Sequence, residues 1–211
     1  MTLRRFLAAS FSLALFASPA LAAPILDPLG DFLASYTGPH GADLDIVSID
    51  PTFDGHTFTL TSTSAGAIGT TPGGIFVWGV NRGTNATPFG VFRDGVQFDA
   101  IVLANPFGAS RVVINGVSTA LPAANVSFAG NVLNVVVPDA LLPSAGFAPI
   151  DYLVNLWPRG SSGGNNTISD FAPDNSDARV QMVPEPAAVM LLLLGLTGFF
   201  AIRRHRRQQS A

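Results

Sequence analysis

The chain has 211 residues with eleven arginines, no lysine, no cysteine and a net charge of −3. Missing cysteines exclude disulfides, thiol catalysis and thiolate metal sites. Between residues 23 and 183, five arginines face thirteen aspartates and no glutamate, a balance of −8 that argues against a nucleic-acid partner.

The first predicted element is a leader. Arg4 and Arg5 precede an apolar stretch from Phe6 to Ala17, and Ala20-Leu21-Ala22 follows. That order of charged, apolar and small residues defines a secretory signal peptide over 1–22. Cleavage is expected after Ala22, leaving Ala23 as the new N-terminus, because a cut one residue later would expose Pro24.

The body, 23–178, reads as β structure. "HTFTLTST" (56–63) places threonines on one side and Phe58, Leu60 and Ser62 on the other, the period of a half-buried strand. Strands are also expected at 74–81, 96–105, 110–116, 131–138 and 150–157, with a final strand in "APDNSDARVQMVPEP" running into the linker. Turns separate them at Asp54-Gly55, Asp94-Gly95, Asn115-Gly116 and Ala129-Gly130-Asn131. Besides a turn near 31–36, helix is expected only at "PDALL" (138–142), where Pro138 suits a first turn. This spacing predicts an all-β fold, a two-sheet antiparallel sandwich of eight to ten strands in a jelly-roll-like arrangement. The succession "DLDIVSIDPTFDGHTFTLTST", "GIFVWGVNRG", "FDAIVL", "NVLNVVVPDALLP" and "FAPIDYLVNLWPR" resembles, in layout, family-nine carbohydrate-binding modules and DOMON domains. No position matches a haem-ligand motif, so the resemblance implies a sandwich and no haem site.

Three kinds of chemistry can be sought in this body. Catalysis is not expected: there is no G-x-S-x-G elbow, "GTTPGG" lacks the Gly-Lys-Ser/Thr ending of a phosphate loop, and His40 and His56 sit beside turns. Sugar binding needs aromatic platforms that stack on pyranose faces, for which Trp78, Trp157, Tyr152 and Phe76 are the candidates. The competing expectation is that both tryptophans are core, since Trp78 lies in an apolar strand and Trp157 alternates in phase with Leu153. No cofactor is required by any motif. Calcium, which takes hard oxygen ligands, could use Asp43, Asp45 and Asp50, or Asp170, Asp174, Asn175 and Asp177; of these Asp170, Asp174 and Asp177 are the stronger set. Neither cluster has the glycine and glutamate of an EF-hand loop. Asp43 and Asp45 would share one face if they lay on a strand.

The end of the chain carries the most specific signal. A linker (179–186) contains Pro184-Glu185-Pro186, which cannot lie in a helix interior and so forms an extended segment. Residues 187–202 are sixteen uncharged residues, about 24 Å as a helix against a hydrocarbon core of about 30 Å. Arg203, Arg204, Arg206 and Arg207 follow in the tail 203–211, and their stems can snorkel to extend the span. One transmembrane helix is therefore expected at 187–202, with its basic tail cytoplasmic and the body outside. Val183-Pro184-Glu185-Pro186, the short Leu/Gly-rich span and the arginine cluster together resemble the PEP-CTERM sorting signal of Gram-negative bacteria. That resemblance implies an exosortase as processing partner, cleavage near the Pro-Glu-Pro, and delivery to the cell surface or an extracellular polysaccharide matrix. The expected function is a structural or adhesive one without catalysis; the alternative is an exopolysaccharide-binding module, calcium-supported.

Overall fold

The computed structural model describes residues 23–83, 86–90 and 93–183. The expected signal peptide, the Pro-Glu-Pro stretch, the apolar run 187–202 and the basic tail lie outside these residues. In chain order the strands are β1 (Ile25–Leu26), β2 (Ile46–Phe53), β3 (Thr57–Ser64), β4 (Ile75–Asn81), β5 (Thr87–Pro88), β6 (Gln97–Phe98) and β7 (Ala100–Ala104). They continue as β8 (Arg111–Ile114), β9 (Val117–Ala120), β10 (Val126–Ala129), β11 (Val132–Pro138), β12 (Leu153–Arg159), β13 (Ala178–Arg179) and β14 (Gln181–Met182). No α-helix occurs among the described residues. "PDALL" forms one 3-10 turn over Asp139–Leu141, with Pro138 ending β11 immediately before it. Residues 33–36 form a tight turn closed by Tyr36 N–H donating to Leu33 O.

Two sheets face each other. The first runs β1-β2-β3-β11-β10, with β14 also on β2; the second runs β13-β12-β4-β7-β8-β9, and β5 and β6 form a separate ribbon. All pairs in the two sheets are antiparallel except β14 with β2. A jelly roll would alternate successive strands between sheets, but β4, β7, β8 and β9 form a meander within one sheet. The reason lies in the short turns. Asn115 and Gly116 both take positive φ (49° and 78°), giving the two-residue hairpin that keeps β9 beside β8.

Period-two patterning builds the core. β3 buries Phe58, Leu60, Ser62 and Ser64 and leaves its threonines half-exposed, and β11 buries Leu133, Val135 and Val137 beside it. The second sheet answers with Phe76, Trp78 and Val80 of β4 and Val154 and Leu156 of β12. A ring stack crosses the gap: Phe53 on Phe58 at 4.6 Å and Phe58 on Tyr152 at 5.3 Å. Tyr152 needs a partner for its hydroxyl in this dry interior and donates to Leu142 O at 2.9 Å.

β4 and β12 do not keep the half-buried pattern expected of them, being buried on both faces. A second apolar cluster of Val77, Val96, Leu103, Trp157, Ile168 and Phe171 covers the outer side of their sheet. Gly79 makes room for it, since a Cβ there would lie 2.4 Å from the Trp157 ring. The strand expected over 96–105 is interrupted at Asp99, which turns aside to meet Arg82. Strand pairing also continues past residue 178, where the linker was expected to begin, to Met182 on β14.

Candidate functional site

The aromatic candidates are structural. Trp78, Tyr152 and Phe76 are fully buried in the sandwich core, and Trp157, on the outer face, is covered by Phe89, Phe98 and Phe171. None offers a flat exposed face, so the sugar platform expected from Trp78, Trp157 and Tyr152 is not formed. Two surface grooves of about 340 and 320 Å³ line the second sheet and the β7–β8 loop, and neither contains a tryptophan or tyrosine. His56 lies exposed at the β2–β3 turn, and the exposed His40 ring stacks on Phe32 at 4.5 Å.

The two expected acidic groups are dispersed. Asp43 lies in a 3-10 turn (Ala42–Leu44), not on a strand, and fixes the next loop by accepting from Thr71 N–H (2.9 Å) and Thr71 Oγ1 (2.5 Å). Asp45 accepts from Gly30 N–H with both oxygens, at 3.0 and 3.1 Å. Asp50 lies on β2, where burial pushes its carboxyl up. In the other group Asn155 donates to Pro173 O and Ser176 O, and the turn it anchors sends Asp177 to Gln97 N–H and leaves Asp174 exposed near Arg93. Asp170 alone stays inside. The structure therefore does not bring Asp170, Asp174 and Asp177 together.

Asp170 instead meets Asp27 and Asp31, which belong to neither of the expected acidic groups. One oxygen from each lies within 4.8 Å of the others. The assembly follows from an irregularity in β2. A register shift between Ile46 and Ser48 frees backbone groups from the β3 ladder. Ile46 N–H then donates to Asp170 Oδ2 (2.9 Å), and Val47 O accepts from Asp27 N–H (3.0 Å). Phe171 N–H donates to Asp170 Oδ1 at 2.7 Å, while Ser169 Oγ ties the segment to Leu44 O and Pro158 O. Gly30 takes φ +81°, a conformation suited to glycine, and its N–H seats the Asp27–Asp31 loop on Asp45.

The electrostatics of this corner are severe. Burial, then the neighbouring Asp170 and Asp31 charges, pushes Asp27 up to about 8. Burial foremost also raises Asp170 to about 7 and raises Asp31, on which the Arg93 charge acts in the opposite direction. Both oxygens of Asp31 and Oδ2 of Asp27 each expose less than 1 Å² yet have no hydrogen-bond partner. No salt bridge reaches any of the three among the described residues. An all-oxygen donor set of this kind suits a hard cation.

A second buried carboxylate is treated otherwise. Arg82 and Asp99 side chains are 4% and 3% exposed, joined at 3.1 Å from Nε to Oδ1 and 3.2 Å from Nη2 to Oδ2. Arg82 Nη1 also donates to Pro143 O at 2.7 Å, and Arg82 O accepts from Phe147 N–H. One side chain thus joins β4, the break before β7 and the 143–147 loop.

The comparisons with known proteins speak to the end of the chain. The PEP-CTERM protein-sorting motif matches residues 183–207. No curated protein and no solved structure gives a match. The chain therefore carries a PEP-CTERM sorting motif, which implies an exported protein sorted by way of an exosortase. The likeness of the body to carbohydrate-binding and DOMON sandwiches rests on sequence layout alone.

Proposed function

We propose that this protein is an exported β-sandwich, delivered by its C-terminal signal to the cell surface or an extracellular polysaccharide matrix, where it acts structurally or adhesively and not as an enzyme. The observation that carries this reading is the sorting motif over residues 183–207, which starts where the last strand ends. Among the described residues no helix is long and apolar enough to cross a membrane; the run 187–202 lies outside them, and we assign the membrane stop to it. The arginines behind it put the body outside the inner membrane.

The body's polar chemistry supports a scaffold. Asp43, Asp45 and Asp99 are engaged in holding loops. The sugar-binding alternative loses the three aromatic residues it was to use. The test is fractionation in the native host of an internally tagged chain. Replacing Pro184, Glu185 and Pro186 by alanine should keep the protein in the inner membrane and deplete it from surface and matrix fractions. Unchanged distribution would overturn the sorting role. Glycan-panel binding by the matrix-recovered protein would replace the structural reading with a lectin-like one.

A further inference from the structure

We infer that Asp27, Asp31 and Asp170 bind a calcium-type divalent cation that fastens the N-terminal end of the exported chain to the sandwich. The three carboxylates come from two segments far apart in sequence: the loop after β1 and the segment that covers Trp157. Their ligand atoms lie within 4.8 Å of one another, no wider than the roughly 4.6–5.2 Å across a calcium coordination sphere.

The independent sign of a ligand is the state of the oxygens. Three of them are shut off from water and accept nothing from the protein. A buried carboxylate without a partner is strongly disfavoured, and this protein elsewhere supplies partners freely: two for Asp43, a guanidinium for Asp99. Asp170 receives one backbone N–H on each oxygen, which fixes its plane and leaves lone pairs on both. A proton shared within the cluster removes one negative charge of three. A divalent cation removes two and can use the free oxygens as ligands.

The donor chemistry narrows the ion. There is no histidine or thiolate in the cluster, which disfavours zinc and copper. Magnesium holds its waters and demands near-octahedral geometry, whereas calcium accepts several carboxylates at irregular angles. The site also fits an exported protein, because calcium modules outside the cell work at about 10⁻⁴–10⁻³ M. It owes nothing to the sorting motif, so either idea can fail alone.

The experiment uses the full chain in detergent micelles, stripped with EGTA. Calorimetric titration with CaCl₂ should show one site, and 10 mM CaCl₂ should raise the unfolding midpoint by several degrees over EGTA. Hydrogen exchange should slow over 25–33 and 168–171. Asp31→Asn should abolish the heat, the shift and the local protection, while unfolding in EGTA no lower than the unsubstituted chain. Asp27→Asn serves the same purpose should Asp31→Asn not fold. Coincident melting curves in CaCl₂ and EGTA would sink the proposal, as would a calcium shift that survives both substitutions. An equal shift with 10 mM MgCl₂ would overturn the calcium assignment.

Discussion

The Arg82–Asp99 pair and the Asp27–Asp31–Asp170 corner both take carboxylates out of water, by opposite means. At the end of β4 the compensating charge is covalent, a guanidinium with fixed geometry and a third bond to Pro143 O. At the start of β2 the carboxylates repel one another and form no salt bridge, the Arg93 charge offsetting Asp31 only in part. The first arrangement is complete when the chain folds. The second, with the cation inferred above, would be completed from solution, and its stability would then depend on the surroundings. Between residues 23 and 183 five arginines face thirteen aspartates, so most of the acids there have no arginine of their own.

The largest test breaks the completed side. Asp99→Ala leaves Arg82 buried and uncompensated and should cost about 3–5 kcal/mol in denaturant unfolding. The double variant Arg82→Met/Asp99→Leu should recover most of that, short of the lost bond to Pro143 O. If the single variant costs less than about 1 kcal/mol, the two regions do not differ as described.

Next in size is pH dependence in EGTA. Folded carboxyls raised to about 8 (Asp27), about 7 (Asp170) and about 6 (Asp177) hold protons more tightly than the unfolded chain does. Each therefore adds stability at low pH that is lost as pH rises from about 4 towards 8. Asp54, held low by N–H groups of His56 and Thr57, titrates below that window. The unfolding midpoint should thus climb as pH falls from 8 to 5. CaCl₂ should flatten the upper part of that slope, and Asp27→Asn should reduce it. A midpoint that falls on acidification over this range would contradict the burial of these groups.

A smaller effect comes from Asp31→Asn, which removes one of the clustered charges. It should stabilise the EGTA form by on the order of 1 kcal/mol, measured as a shift in the urea midpoint. The smallest belongs to an exposed carboxylate outside the comparison. Asp54 Oδ1 accepts from His56 N–H (2.9 Å) and Thr57 N–H (2.7 Å), and Asp54→Ala should cost about 0.5–1 kcal/mol regardless of calcium.

What could be foreseen follows the range of the forces involved. β3 and β11 were legible because each strand's alternation is dictated by its own two faces, and the Asn115-Gly116 turn because positive φ is a local demand; β9 beyond it was not expected. β1 was not, because a two-residue strand exists only through the edge it lies against, whereas the last strand was legible in "APDNSDARVQMVPEP" though not its division into β13 and β14. β4 and β12 misled, since the cover on their outer face comes from Phe89, Val96, Phe98, Ile168 and Phe171. In the site, Asp170 was named from its local acidity, but its grouping with Asp174 and Asp177 failed where Asn155 bends the chain between them. Asp27 and Asp31 flank Pro-Leu-Gly in a short loop, a weak sign of a carboxylate pair. What joins them to Asp170 is a shift in β2 that no spacing of residues announces.

The free side of β2 is closed end to end by the two termini of the described body. β1 pairs with Ser48 and Ile49, β14 pairs in parallel with Thr52 and Phe53, and Pro51, with no N–H to offer, falls between them. Gln181 Nε2 reaches Ala23 O, and Val183 N–H donates to Phe53 O at 2.9 Å. A tether pulled at Val183 along the strand axis would therefore load this seam in shear, its bonds sharing the force together before the interior felt any.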